Sequence, residues 1–123
     1  MEIKIMQTQI LIKDVINTNF AVTTEDGNTI FELLDSNLSK NNAVSLDFQG
    51  INLMTTAFLN SAIGQLYSID KYSSAFLNSN LKLVNVQEQD KPLFALVVKR
   101  AKEYFANKQG FEKNTNDSIY GND

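Results

Sequence analysis

The sequence predicts a single α/β domain built on a partly parallel sheet, and three observations carry that reading. Val44, Leu46 and Phe48 alternate with polar residues, as do Leu81 and Leu83 further along, which is the period of two expected of strands. Apolar residues near 30–38, 58–67 and 93–105 recur instead at helical spacing. Strand and helix patterns follow one another along the chain, and such an order implies parallel strands joined by right-handed crossovers.

Each element has its own local signal. Ile3, Ile5, Ile10 and Ile12 alternate locally and predict one long strand or two short ones joined by a bend. Asn17-Thr18-Asn19 predicts a turn, and Phe20-Ala21-Val22 a short strand after it. The first long helix opens at Thr24, read as the capping residue, with Glu25 and Asp26 placed to suit the helix dipole. Ile30, Phe31, Leu33, Leu34 and Leu38 make its apolar face, Gly27 weakens its first turn slightly, and Asn41-Asn42 stop it.

The strand at Val44–Phe48 leads through a Gln49-Gly50 turn to an apolar touch at Ile51 and Leu53. Thr55 and Thr56 follow, exposed and in capping position, before a helix that buries Phe58, Leu59, Ala62, Ile63, Leu66 and Tyr67. Gly64 is placed to let another backbone approach. Residues 68–80 read as a helix end and loop with one further helical turn, and 81–86 as a strand. Lys91-Pro92 then open a last helix, with Leu93, Phe94, Val97, Ala101, Tyr104 and Phe105 facing the core. The aromatic residues at helical spacing, Phe31, Phe94, Tyr104 and Phe105, all read as core. The domain is expected to end near residue 106, leaving 107–123 as a polar, flexible tail in which Phe111, Ile119 and Tyr120 are the only apolar anchors.

Composition narrows the chemistry. The chain has 123 residues, 43% apolar and 20% charged, enough for one domain with a core of its own. It has neither cysteine nor histidine, so thiol nucleophiles, imidazole bases and the usual zinc ligand sets are missing. Its five glycines are isolated, so there is no phosphate loop. A net charge of -3 with Arg100 as the single arginine argues against a nucleic-acid partner. Lys99, Arg100 and Lys102 read as a solvated helix face. No apolar stretch is long enough for a bilayer and no leader is evident, so no membrane partner and a cytoplasmic location are expected. No catalysis, cofactor or metal is expected.

The run from Val44 to Tyr67 carries the most information. Its hydrophobic-Leu46-Asp47-Phe48 strand, Gly50-Ile51 turn and Met54-Thr55-Thr56-Ala57-Phe58-Leu59 helix start resemble the STAS-like domains, relatives of bacterial anti-sigma-factor antagonists. With its flanks the resemblance covers roughly residues 20 to 106. It implies a small mixed sheet with helices mainly on one face, and a comparable acidic-Gly pair at Asp26-Gly27. It also implies signalling by protein–protein contact, with a histidine-kinase-like ATPase as partner; homodimerisation is compatible with it. Antagonist-type relatives carry a phosphorylatable hydroxyl at this helix start. Here the pattern departs: Thr55 falls at their Asp, Thr56 at the first hydroxyl, Ala57 at the acceptor and Phe58 at the Gly. A shift of one residue makes Thr56 the acceptor, so Thr56 and Thr55 are the two candidates.

The predicted docking surface is therefore Asn52, Thr55, Thr56, Phe58 and Asn60, within the strand-loop-helix element 47–60. One threonine capping the helix and the other hydrogen-bonding in the loop would account for both, and Phe58 reads equally as core or as a partner-facing anchor. Asp47, charged within an apolar strand, is expected to bond loop amides near the helix. Two other readings stay open. One is a small-molecule or nucleotide sensor using the helix N-terminus as an anion site. The other is a subunit of an oligomeric enzyme whose catalytic groups lie on another chain. An exposed apolar patch beside the helix start favours docking; a closed pocket there favours sensing.

Overall fold

In this computed structural model the backbone is described for residues 7–118 and the side chains for residues 8–104. Strand β1 (Gln7–Leu11) is followed without a break by helix α1 (Ile12–Ile16), so Ile12 starts a helix rather than ending the strand; Ile3 and Ile5 lie outside the described residues. Asn17 ends α1 at φ 58, a left-handed conformation that asparagine tolerates. Then come β2 (Phe20–Ala21), α2 (Thr24–Leu38), β3 (Ala43–Asp47) and β4 (Leu53–Met54). The second long helical segment, 56–68, is three pieces: α3 (Thr56–Leu59), a π turn (Asn60–Gly64) and α4 (Gln65–Ser68). Helix α5 (Ser74–Asn80), strand β5 (Leu81–Val84), a 3-10 turn (Glu88–Asp90) and α6 (Lys91–Ser118) complete the order. Thus α5 is a full helix rather than a single turn, because Ser73 caps it by accepting from the Phe76 amide. The backbone of α6 continues well past residue 106, where a polar tail was expected.

One sheet has the order β1-β3-β5, and a separate two-stranded ladder joins β2 to β4. Every pairing among the described residues is parallel, so the expected mixture of strand directions is not seen there. In register, Thr8, Val44 and Leu81 share a face, as do Ile10, Leu46 and Leu83. This face meets the core, which includes Ile30, Leu34, Leu38, Leu59, Ile63, Leu66 and Val97. Gln9, Ser45 and Lys82 line the other, polar face, in accord with helices packed mainly on one side.

The 56–68 segment is the centre of the helical layer, lying against both α2 and α6. A helix covered on two sides must be apolar or small most of the way round. Ser61, Ala62, Ile63 and Gly64 are four consecutive buried residues. The π turn accommodates this run, with the Gln65 amide reaching back to the Asn60 carbonyl, five residues earlier. Gly64 accepts the Val97 side chain from α6 rather than another backbone.

Gly27 is where α2 and α3 touch. A Cβ there would lie 2.6 Å from the Phe58 carbonyl oxygen and 2.6 Å from Ser61 Cβ. The glycine is therefore a packing requirement, and not merely a weak point in the first turn. The cap of α2 is Thr23, whose hydroxyl accepts from the Asp26 amide, one residue earlier than the sequence indicated. Two aromatic placements also differ. Phe94 is core, packed edge-on to Phe48, whereas Phe31 is half-buried and Tyr104 is 60% exposed. Among the described residues Val98 is the last of α6 that packs against the core, and Tyr104 lies beyond it. The Phe105 and Phe111 side chains and residues Ile119 and Tyr120 lie outside the described residues.

Gly27→Ala should destabilise the domain by about 1–3 kcal/mol, because overpacking against a backbone oxygen outweighs the roughly 1 kcal/mol that alanine gains in helix propensity. Urea unfolding checks it; a variant as stable as the wild type would mean that the helices can separate freely.

Candidate functional site

The helix start at residue 56 is positioned by the β2–β4 ladder, which pairs Phe20 with Leu53 and Ala21 with Met54. Main-chain bonds extend the ladder at both ends: the Asn52 amide donates to the Asn19 carbonyl at 2.8 Å, and the Thr55 amide to the Ala21 carbonyl at 3.1 Å. The turn before it is equally fixed. The Ile51 amide donates to the Phe48 carbonyl at 3.1 Å, with Gly50 at φ 82, a value that suits glycine.

Thr55 is the joint of this assembly. Its hydroxyl donates to the Val22 carbonyl at 2.9 Å and accepts from the Phe58 amide at 3.2 Å. It therefore caps α3 and, at the same time, ties that cap to the strand leading into α2. Thr56 is half-buried, and its hydroxyl makes no hydrogen bond among the described residues. Both roles foreseen for two threonines are thus carried by Thr55 alone.

The remaining predicted site residues separate. Asn52 and Asn60 are exposed, and Ala57 between them is exposed too. Asn60 lies four residues after Thr56 on the same helical face. Phe58 is completely buried, with 0% exposure. Its carbonyl oxygen faces Gly27 while its side chain belongs to the core cluster, so it is a core residue and does not face a partner. In its place the structure exposes Phe20 (52%) and Leu53 (54%), which are directly paired across the β2–β4 ladder. The sequence read Leu53 as one more inward apolar touch. The signal that it faces out was its neighbour: of two successive strand residues only one can point inward, and here that is Met54.

Asp47 ends β3 beside this element and is buried. One carboxylate oxygen accepts from Asn85 Nδ2 at 2.8 Å and from the Gln49 amide at 2.9 Å; the other accepts from Gln9 Nε2 at 3.1 Å. The loop amide was expected, and the two side-chain amides were not. The Asn85 bond holds the carboxyl below its ordinary pKa against the opposing effect of burial, with help from Gln49 and Gln9. Asn85 stands at φ 60, a left-handed backbone just past β5, from which its amide reaches Asp47. With its acceptor sites bonded to amides of the fold, Asp47 serves as a structural tie. No group of three metal-ligating side chains occurs among the described residues. Nor is any helix among them long and apolar enough to cross a membrane.

Residues 26–91 match the family described as STAS-like domain of unknown function (DUF4325). The chain belongs to that family. The match runs from the first turn of α2 through the whole Thr55 helix start to the beginning of α6, so it takes in every predicted docking residue of this STAS-like domain. No curated protein and no solved structure matches the chain.

The Asp47 carboxylate gives the STAS-like fold an acid-sensitive tie. A carboxyl whose pKa is lowered by folding contributes stability that is present above its unfolded value and lost as pH falls through the folded one. Asp47→Asn should cost about 1–3 kcal/mol at neutral pH, since an amide cannot accept all three donors. The variant should also lose less stability than the wild type between roughly pH 5 and pH 3. Parallel urea titrations at several pH values test both; identical acid limbs would show that another carboxylate governs them.

Proposed function

We propose that this STAS-like domain is a non-catalytic regulatory module that docks a protein partner through the β2–β4 ladder and the start of α3. The observation that carries this reading is the Phe20–Leu53 pair, two large apolar side chains about half exposed and in direct cross-strand register. Asn52 adjoins Leu53 in the chain, and Thr56 and Asn60 follow from the start of α3; these polar residues would give a rim to an apolar centre, the usual composition of a docking surface. The backbone beneath is fixed by the Thr55 bonds, so little ordering is needed on binding. A histidine-kinase-like ATPase is the partner that the STAS-like family suggests. The larger cavities described are lined by residues of other parts of the fold, which favours docking over anion sensing at the helix start. The absence of histidine and cysteine from the sequence supports a role without catalysis.

Leu53→Ser should leave stability within about 0.5 kcal/mol, as for most surface substitutions, and weaken binding of a copurified ATPase by roughly tenfold or more. Thr56→Glu places a carboxylate at a helix N-terminus, where the fold tolerates it. In a desolvated interface the same charge should cost on the order of a hundredfold in affinity. Melting curves and titrations run side by side read both effects. Unchanged affinity in both variants would leave Thr55 and Thr56 as capping and packing residues and remove the docking surface.

A further inference from the structure

Strand β5 pairs with β3 on one side, and no strand among the described residues takes its outer edge. We infer that this edge pairs with the same strand of a second copy, antiparallel and centred on Leu83, so that the two sheets join into one.

The main chain is set for that pairing. The Phe48 amide donates to the Val84 carbonyl at 3.0 Å, so Val84 turns its main chain toward β3, and by alternation so does Lys82. Leu83 therefore turns both its N–H and its C=O to the open edge. Leu81 keeps its C=O for the edge, since its N–H ends α5 on the Leu77 carbonyl. A two-fold axis at Leu83 lets the two copies of that residue exchange both hydrogen bonds, and it sets Leu81 of each copy opposite Asn85 of the other. Beyond β5 the chain leaves the edge, with Gln87 Nε2 donating to the Ile51 carbonyl at 3.2 Å.

The side chains agree with this register on both faces. On the core side a groove of about 330 Å³ is lined by Leu83, Asn85, Val86, Lys91 and Phe94. Opposite Asn85, the second copy's half-buried Leu81 comes to this groove, and the two-fold axis repeats the contact. On the other face Lys82 is exposed and is the one charged residue of β5. A lysine guards an open edge against arbitrary strands. In this register, however, it joins the cross-strand row of the second copy's Val84 and Asp47, where it meets a carboxylate. Main chain, groove and charge are thus all self-complementary, which favours a second copy over a different chain. Strands of this length bury little area, so the dimer is weak and reversible. It uses neither Phe20 nor Leu53, and it stands or falls apart from the docking surface.

Sedimentation velocity and amide hydrogen exchange of the full chain, each from about 10 µM to about 1 mM, provide the test. A monomer–dimer equilibrium is expected within that range. The Leu83 amide should exchange several-fold more slowly at the upper concentration, whereas Lys82 and Val84, already turned to β3, should be slow throughout. Lys82→Glu, a change at an exposed side chain, should weaken the dimer roughly fivefold, because the axis repeats the charge pair. Leu53→Ser should leave it unchanged. A chain still monomeric at about 1 mM, a dimer in which the Leu83 amide exchanges as fast as in the monomer, or a dimer weakened by Leu53→Ser and not by Lys82→Glu would overturn the inference.

Discussion

The contact between Gly27 and the Phe58 carbonyl sets the distance on which the rest of this domain depends. With only hydrogen on the Gly27 α-carbon, α2 approaches the backbone of α3 instead of its side chains. That approach seats Phe58 wholly in the core and brings Val22, the residue leading into α2, within reach of the Thr55 hydroxyl. The cap of one helix is thus bonded to the lead-in of the other. Any residue larger than glycine would separate the helices, and the ladder that carries Phe20 and Leu53 would have to move with them. The Asp26-Gly27 pair, which falls at the first residues of the family match, is in this light a packing device of the fold.

The sheet has its own tie at the opposite face. Parallel strands meet through main-chain bonds, but their ends must also be held in register where the loops leave. The Asp47 carboxylate does this across all three strands, taking donors from Gln9 on β1, from Gln49 beyond its own strand and from Asn85 beyond β5. A carboxylate suits the position because it only accepts, and all three neighbours donate. An apolar residue would leave three donors unmatched, which explains a charge within an otherwise hydrophobic strand.

Much of this architecture was legible in the sequence because it follows from periodicity and capping chemistry. The alternation at Val44, Leu46 and Phe48 gave the central strand, and a Thr before a helical apolar pattern gave the start of α3. What was not legible depended on partners distant in sequence. Alternation shows that only one of Leu53 and Met54 can face inward, but that Met54 is the one, and that Phe58 is buried, is decided by the fold. The π turn was hidden for a related reason. It answers to α2 and α6 closing on both sides of the helix, a condition absent from residues 60–64 themselves. The sequence also divided two roles between Thr55 and Thr56, because only the fold brings the Val22 carbonyl close enough for Thr55 to perform both.

The exposure of Phe20 and Leu53 follows from the shape of this ladder and has a consequence for function. Two residues per strand offer each strand one inward and one outward position, and Ala21 and Met54 occupy the inward ones. Outward positions on so short a ladder gain nothing for folding by being apolar, because no helix among the described residues covers them. Polar residues there would serve the isolated domain equally well, and an apolar cross-strand pair is a liability for solubility. The proposed docking contact would give the pair a role that the stability of the fold does not. The rigid Thr55 cap beneath it strengthens that argument. A surface anchored through two hydrogen bonds at one hydroxyl is held in a single arrangement, which would lower the ordering cost of the proposed docking.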